Sequence, residues 1–190
     1  MKQGIYSQYR ALSLLSALLF STVCSAAPVS YVDLALGLGV HVLDDSDQGA
    51  ASEVIKVGVG IQWLPFVSTQ LGIWSWSSGD QKESETEQDE VGYFDGLSAS
   101  WELVLQLPME NKGADLTAGP YFRYGRHCWS AVLTGLVKPW SKSGCSDLST
   151  VGFSFPSGVE KNAGLYIEFT RTAFDDLFSS SLQLGARLAF

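Results

Sequence analysis

The chain has 190 residues, with 12 Lys and Arg against 20 Asp and Glu and a formal net charge of −8. Residues 1–26 carry Lys2 and Arg10 and no acid, so without them the balance is 12 − 2 = 10 bases against 20 acids, a net charge of −10. An acidic excess of this size argues against nucleic acid or an anionic lipid surface as partner, and the length allows one domain.

The amino-terminus reads as a secretory signal peptide. A basic start is followed by an apolar run, Ala11 to Phe20, and by small residues at Cys24-Ser-Ala26 before Ala27-Pro28. That run is too short to span a bilayer. Ser21-Thr-Val23 ahead of Cys24 is a poor lipobox, so cleavage after Ala26 is the expectation. The domains are then 1–26, signal peptide, and 27–190, mature barrel. No later stretch is long and apolar enough for a membrane helix. If the mature protein spans a membrane, only a closed barrel does it.

From there the chain alternates with a period of two, the mark of half-buried strands. Strand one, from about Tyr31 to Val42, places Val32, Leu34, Leu36, Leu38, Val40 and Val42 on one face and Asp33 and His41 on the other. A polar stretch, Asp44 to Gly49, ends it. Strand two puts Ile55, Val57, Val59, Ile61 and Trp63 outward and Lys56, Gly58, Gly60 and Gln62 inward, then turns at Leu64-Pro65. Strand three sends Val67, Thr69, Leu71 and Ile73 one way, and Ser68, Gln70, Gly72, Trp74 and Trp76 the other. An acidic loop follows, with Asp80, Glu83, Glu85, Glu87, Asp89 and Glu90 and a single lysine.

Strand four, about Val91 to Leu107, exposes Tyr93, Leu97, Trp101 and Leu105 and encloses Ser98, Ser100, Glu102 and Gln106. Strand five exposes Leu116, Ala118, Pro120, Phe122 and Tyr124 and encloses Gly119, Tyr121 and Arg123. Arg126 to Asp147 reads as a long loop. It holds the two mature cysteines, Cys128 and Cys145, which in an exported chain are expected to form a disulfide across it. Strand six carries Val151, Phe153 and Phe155 outward. Strand seven carries Leu165, Ile167 and Phe169 outward, with Tyr166, Glu168 and Thr170 inside. Asp175-Asp176 marks a short connection. Strand eight ends the chain with Phe178, Leu182, Leu184, Leu188 and Phe190 on one face and Gln183 and Arg187 on the other.

The predicted fold class is therefore all-β, an eight-stranded antiparallel transmembrane barrel. A soluble barrel also alternates, but its polar face meets water and is rich in charge. Here that face is Gly, Ser, Thr and Gln, with about one charge per strand, which suits a cramped lumen. Aromatics near the ends of the apolar face, Trp63 and Phe190 at one end and Tyr93, Tyr124 and Phe178 at the other, match membrane girdles.

Three stretches resemble the small outer-membrane barrels of the OmpA/OmpX type: Gly119 to Gly125 with Trp129, Gly152 to Arg171, and Leu182 to Phe190. The resemblance implies an outer-membrane location and lipid as surroundings. It also implies that the terminal Phe190 is read by the barrel assembly machinery. The chain stops where the barrel does, so the tethering role of the longer members is not expected.

Six inward charges, Asp33, Lys56, Glu102, Arg123, Glu168 and Arg187, must be paired or hydrated. They form either an ion path or a plug, and the plug is expected because eight strands leave no aqueous channel. Asp33 and Arg187 are expected to pair across the closing seam, flanked by Glu168. Lipid A deacylases and palmitoyltransferases occupy similar barrels, with His, Ser and acidic groups at the outer rim. His41 near Asp44, Asp45 and Ser46, and His127 ahead of Ser130, are the candidates. The deacylase pattern is His-x-Ser, and the extra residue throws Ser130 onto the opposite face. No catalytic residue, metal or cofactor is assigned. The acidic loop reads as solvated surface, and the outward loops are the expected contact with any host or extracellular ligand.

Overall fold

The computed structural model describes residues 27–43, 49–78, 93–109, 117–134, 140–156 and 162–190. The expected signal peptide, the acidic stretch with its six carboxylates, and Asp44 to Ser46 lie outside the described residues.

Eight antiparallel strands close on themselves in chain order: β1 (Val29–Leu43), β2 (Gly49–Leu64), β3 (Val67–Ser77), β4 (Tyr93–Gln106), β5 (Gly119–Thr134), β6 (Trp140–Pro156), β7 (Ala163–Phe174) and β8 (Leu177–Ala189). Closure is by β8 against β1, where Arg187 lies opposite Asp33 and Leu184 opposite Leu36. A closed barrel leaves no strand edge within the hydrocarbon, which is what a bilayer demands of a β-protein. The termini share one end with the β2–β3, β4–β5 and β6–β7 connections (the turn end). The other four connections define the loop end.

The exterior decides the solvent. Leu34, Leu36, Leu38 and Val40 on β1, Leu71 and Ile73 on β3, and Leu182 and Leu184 on β8 all face outward, exposed. Leu38 is 71% exposed and Leu184 66%. Contiguous aliphatic surface around a whole barrel is incompatible with water and is the lipid-facing band of a membrane-spanning barrel. Crossing takes roughly 9–11 tilted residues. β5 has 16 and β6 has 17, so both continue beyond the bilayer.

Two features differ from the sequence-based expectation. The segment Arg126 to Asp147 is strand, not a long loop: β5 and β6 stay paired up to Leu133 opposite Trp140. The alternation persists there through His127, Trp129, Ala131 and Leu133, all buried. Ala118, expected outward, is buried and bridges Met109 before β5 begins. Gly119 follows with a positive φ of 130° that offsets the alternation at the start of the strand.

Inside, the barrel is filled in two layers. The turn-end half holds Tyr31, Tyr121, Tyr166 and the six charges. Each tyrosine faces a glycine on the neighbouring strand: Tyr31 with Gly60, Tyr121 with Gly152, Tyr166 with Gly185. A Cβ at any of these glycines would collide with the ring, so the small residue makes room for the large one. The loop-end half is aromatic, built on Trp74, Trp76, Phe94, Trp129, Trp140 and Phe174. Phe174 packs edge-on against Trp76 at 5.1 Å and Trp129 at 5.2 Å.

Candidate functional site

Strand parity sends one ionic side chain from each of β1, β2, β4, β5, β7 and β8 into the lumen. Three acids and three bases meet there, and all six are at least 95% buried. Arg187 donates from Nε to Asp33 Oδ1 at 2.6 Å and from Nη2 to Oδ2 at 2.9 Å, a two-pronged pair across the closing seam. Arg123 lies between two carboxylates, Nη1 3.1 Å from Glu102 and Nη2 2.8 Å from Glu168. Lys56 Nζ is 3.1 Å from Glu168 and 4.0 Å from Glu102. The Tyr121 hydroxyl donates to Glu168 at 2.6 Å, and Ser100 donates to Glu102.

Glu168 does not flank Arg187 as anticipated. It turns to Lys56, Arg123 and Tyr121, and the group reaching toward the Asp33–Arg187 pair is Arg123, 4.0 Å from Asp33. The reason is length: a guanidinium from β5 reaches the middle of the lumen and takes the carboxylates on both sides. Formal charge within the network sums to zero, which is what a low-dielectric interior requires. Lys56 also lies 4.6 Å from the Trp74 ring centroid, joining the ionic layer to the aromatic one.

The two histidines are not rim residues. His41 is stacked on Phe94 at 3.7 Å and bonds Ser52 at 2.7 Å. His127 is held by Ser146 at 2.9 Å and by Thr172. Ser130 is exposed on the opposite face of β5. His127 and Ser130 therefore do not meet, and the hydroxyls that do reach His127, Ser146 and Thr172, also donate to the backbone carbonyls of Ala173 and Asp147. Among the described residues, no group of three His, Cys, Asp or Glu is placed to hold a metal.

The loop end has an asymmetry that sequence reasoning missed. β6 pairs with β7 only as far as Leu148 opposite Thr172, whereas its pairing with β5 continues to Trp140. Among the described residues, Trp140–Asp147 has a strand partner on one side only. Cys128 and Cys145 sit directly opposite one another and form a disulfide on the outward face of this hairpin. The bond joins two paired strands and does not span a loop, because the residues around it are in register. Lys142 bonds Asp175 at 2.6 Å and Asp176 at 2.9 Å, and the Trp140 indole donates to Asp176 at 2.9 Å. These contacts hold the β7–β8 turn (Asp175, φ 60°) against β6. The bonds from Lys142 and Trp140 keep the Asp176 carboxyl below its ordinary carboxylate range. Phe190, at the turn end, is 80% exposed, and its N–H donates to Ser30.

No protein-family model and no curated protein matches the chain. Solved structures do. Neisserial surface protein A superposes with a TM-score of 0.64 at 12% identity, over 87% of this chain and 100% of that one. Ail, the attachment invasion locus protein of Yersinia pestis, gives 0.59 at 14%, over 87% and 100%. The amino-terminal barrel domain of Pseudomonas aeruginosa OprF gives 0.55 at 12%, over 85% and 97%. Together with the closed topology and the aliphatic exterior, these likenesses establish that the chain has the fold of the small eight-stranded outer-membrane barrels of the OmpA/OmpX type.

Proposed function

We propose that the protein is an integral outer-membrane barrel with a side-chain-plugged lumen that binds an extracellular or host ligand through its loop end. The observation that carries this reading is the hairpin of β5 and β6, stapled by Cys128–Cys145 and, among the described residues, without a strand partner on the far side of β6 from Trp140 to Cys145, where the β7–β8 turn meets it through the side chains of Trp140 and Lys142. Cα atoms of the two cysteines lie 4.0 Å apart, the narrow spacing of a pair that does not exchange backbone bonds. The N–H and C=O of Ser141, Ser143 and Cys145 therefore point away from β5, toward the open side. Such an edge accepts an extended peptide by strand addition. Ail, the attachment invasion locus protein, shares the fold, and one of its structures holds the heparin analogue sucrose octasulfate.

The test is binding of the refolded barrel to host cells and to immobilised extracellular matrix. Ser143→Pro removes one edge donor without touching a β5–β6 bond. Wild type should bind, Ser143→Pro should bind at least about tenfold more weakly, the equivalent of roughly 1.4 kcal/mol, and Ser143→Thr should bind normally. Failure of wild type to bind either surface, or equal binding by the proline variant, overturns the reading.

A further inference from the structure

The apolar band around the barrel is not of one height. On β1 the outward series from Val32 to Val42 is apolar throughout. On β5 it runs only from Pro120 to Tyr124 before Arg126, and on β6 only from Phe155 to Val151 before Ser149 and Asp147. At about 3.4 Å per residue these runs rise about 34 Å on β1 and about 14 Å on β5 and β6. A strand tilt of roughly 40° leaves about 26 Å and about 11 Å, against an apolar band of about 25 Å in barrels of this kind. The β1 wall therefore fits a bilayer and the β5–β6 wall falls short of one. A short wall is accommodated by thinning the bilayer or by packing against another protein. Its make-up differs as well. β1 presents only Val and Leu, whereas the short wall presents Phe122, Tyr124, Phe153 and Phe155, the residue types that anchor protein interfaces.

The short wall also has relief. Among Phe66, Leu105, Leu107, Pro120 and Val151 lies an apolar furrow of about 720 Å³. Beside it, Phe153 and Phe155 on β6 stack with ring centroids 4.6 Å apart and form one ridge. Pro120, in the furrow, is the register partner of Phe153, and Arg126 is the register partner of Asp147. Arg126 and Asp147 are both exposed, and no ion pair joins them among the described residues. Asp147 lies beside the Tyr124 hydroxyl. Along β5 the outward face thus reads hollow and then base, and along β6 it reads ridge and then acid at matching levels.

From this complementarity we infer that the β5–β6 wall is the interface of a homodimer in the plane of the membrane. Two copies inserted in the same orientation are related by a two-fold axis along the membrane normal. With that axis between β5 and β6, the β5 of each copy faces the β6 of the other. Register partners then meet across the axis. The Phe153–Phe155 ridge of one copy enters the furrow at Pro120 of the other, and Arg126 of each copy faces Asp147 of the other. Every contact occurs twice, as a two-fold interface demands. Lipid tails are as apolar as the ridge, so close packing and the two charge pairs hold the copies together. Pairing also hides the short band from the bilayer. None of the edge groups of Ser141, Ser143 and Cys145 takes part, so the dimer is independent of ligand binding at the loop end.

The experiment counts copies by single-molecule photobleaching of labelled mature protein, refolded over a range of lipid dilutions into phosphatidylcholine bilayers of short or long acyl chain. Wild type should pair, and more tightly in the thicker bilayer, where the short wall fits worst. Arg126→Asp and Asp147→Arg, each alone, set like charges opposite one another twice and should pair at least about tenfold more weakly. An equal mixture of the two variants should pair again as one copy of each, because every charge then faces an opposite one. A cross-strand pair within one copy cannot give that recovery. Leu105→Trp, which fills the furrow, should also weaken pairing and tests the same wall if a charge variant fails to refold. Leu36→Trp, on the tall wall, should leave pairing intact. Refolding of each variant is read from its heat-dependent migration on a detergent gel. Wild type that stays single at every thickness overturns the dimer and leaves the short wall to lipid. Normal pairing by the refolded single variants, or a mixture that does not recover, overturns it equally.

Discussion

Arg187 illustrates why a single side chain carries weight here. It is 5% exposed, its guanidinium grips Asp33 by two bonds, and its flat face lies 4.2 Å over the Tyr31 ring. Arg187→Ala strands a buried carboxylate, a loss of about 3–5 kcal/mol where no other counter-charge is near. Arg123, 4.0 Å from Asp33, supplies partial compensation, so the expected loss falls toward the lower end. Urea unfolding should show it, and Asp33→Asn in the same chain should restore part of the midpoint. Additive losses from the two substitutions would refute the pairing. Gly60→Ala is a packing counterpart. The added methyl meets the Tyr31 ring, and overpacking of a filled interior costs roughly 1–3 kcal/mol, measurable by the same unfolding.

At the scale of elements, the β5–β6 hairpin behaves differently from the barrel beneath it. Its disulfide closes a ring of sequence separation 17, which in the chain-entropy model is worth about 3 kcal/mol. The strands below the bond stay paired with β4 and β7 whether or not it is intact. Reduction should therefore speed amide exchange from Ser130 to Ser143 and leave the barrel's urea midpoint nearly unchanged. A large fall in that midpoint would mean that the hairpin and barrel unfold as one unit. The Asp176 contacts add a weak pH dependence. Because its folded pKa lies below the unfolded one, the contact contributes above the ordinary carboxylate range and is lost as pH falls through the depressed value. The pair is exposed, so the effect is small and visible as a shift of the Trp140 indole N–H. Phe190 follows β8 with its ring exposed, and we propose it as the residue that the assembly machinery reads. Deleting Phe190 should lower outer-membrane levels in cells, and unchanged levels would remove that role.

For the whole molecule, the two filled layers predict a lumen closed to ions. Ionic side chains occupy the turn-end half and aromatic ones the loop-end half. Planar-bilayer recordings of wild type should show no steady large conductance; regular channels would replace the plugged barrel with a pore. Closed pairing on every strand predicts resistance to detergent, so unheated protein should migrate apart from boiled protein on a detergent gel.

The alternation of Leu34 to Val42, Ile55 to Trp63 and Leu182 to Phe190 was legible in the chain because a strand repeats every two residues and the two faces meet different solvents. That parity alone was enough to send Asp33, Lys56, Glu102, Arg123, Glu168 and Arg187 inward. It also put Trp74 and Trp76 on one face of their strand, and it set His127 and Ser130 on opposite faces. Parity says nothing about height or reach. That Glu168 serves Lys56 and Arg123 in preference to Arg187 depends on the register between strands distant in sequence and on the length of each side chain. The turns near Arg126 and Asp147 were misplaced because their Ser, Gly and Cys residues suit a loop as well as a strand. Only the pairing of β5 with β6, in register as far as Leu133 opposite Trp140, decides how far the two strands run. His41 and His127, read as rim residues from the sequence, are interior because Phe94 on β4, Trp76 on β3 and Phe174 on β7 pack around them.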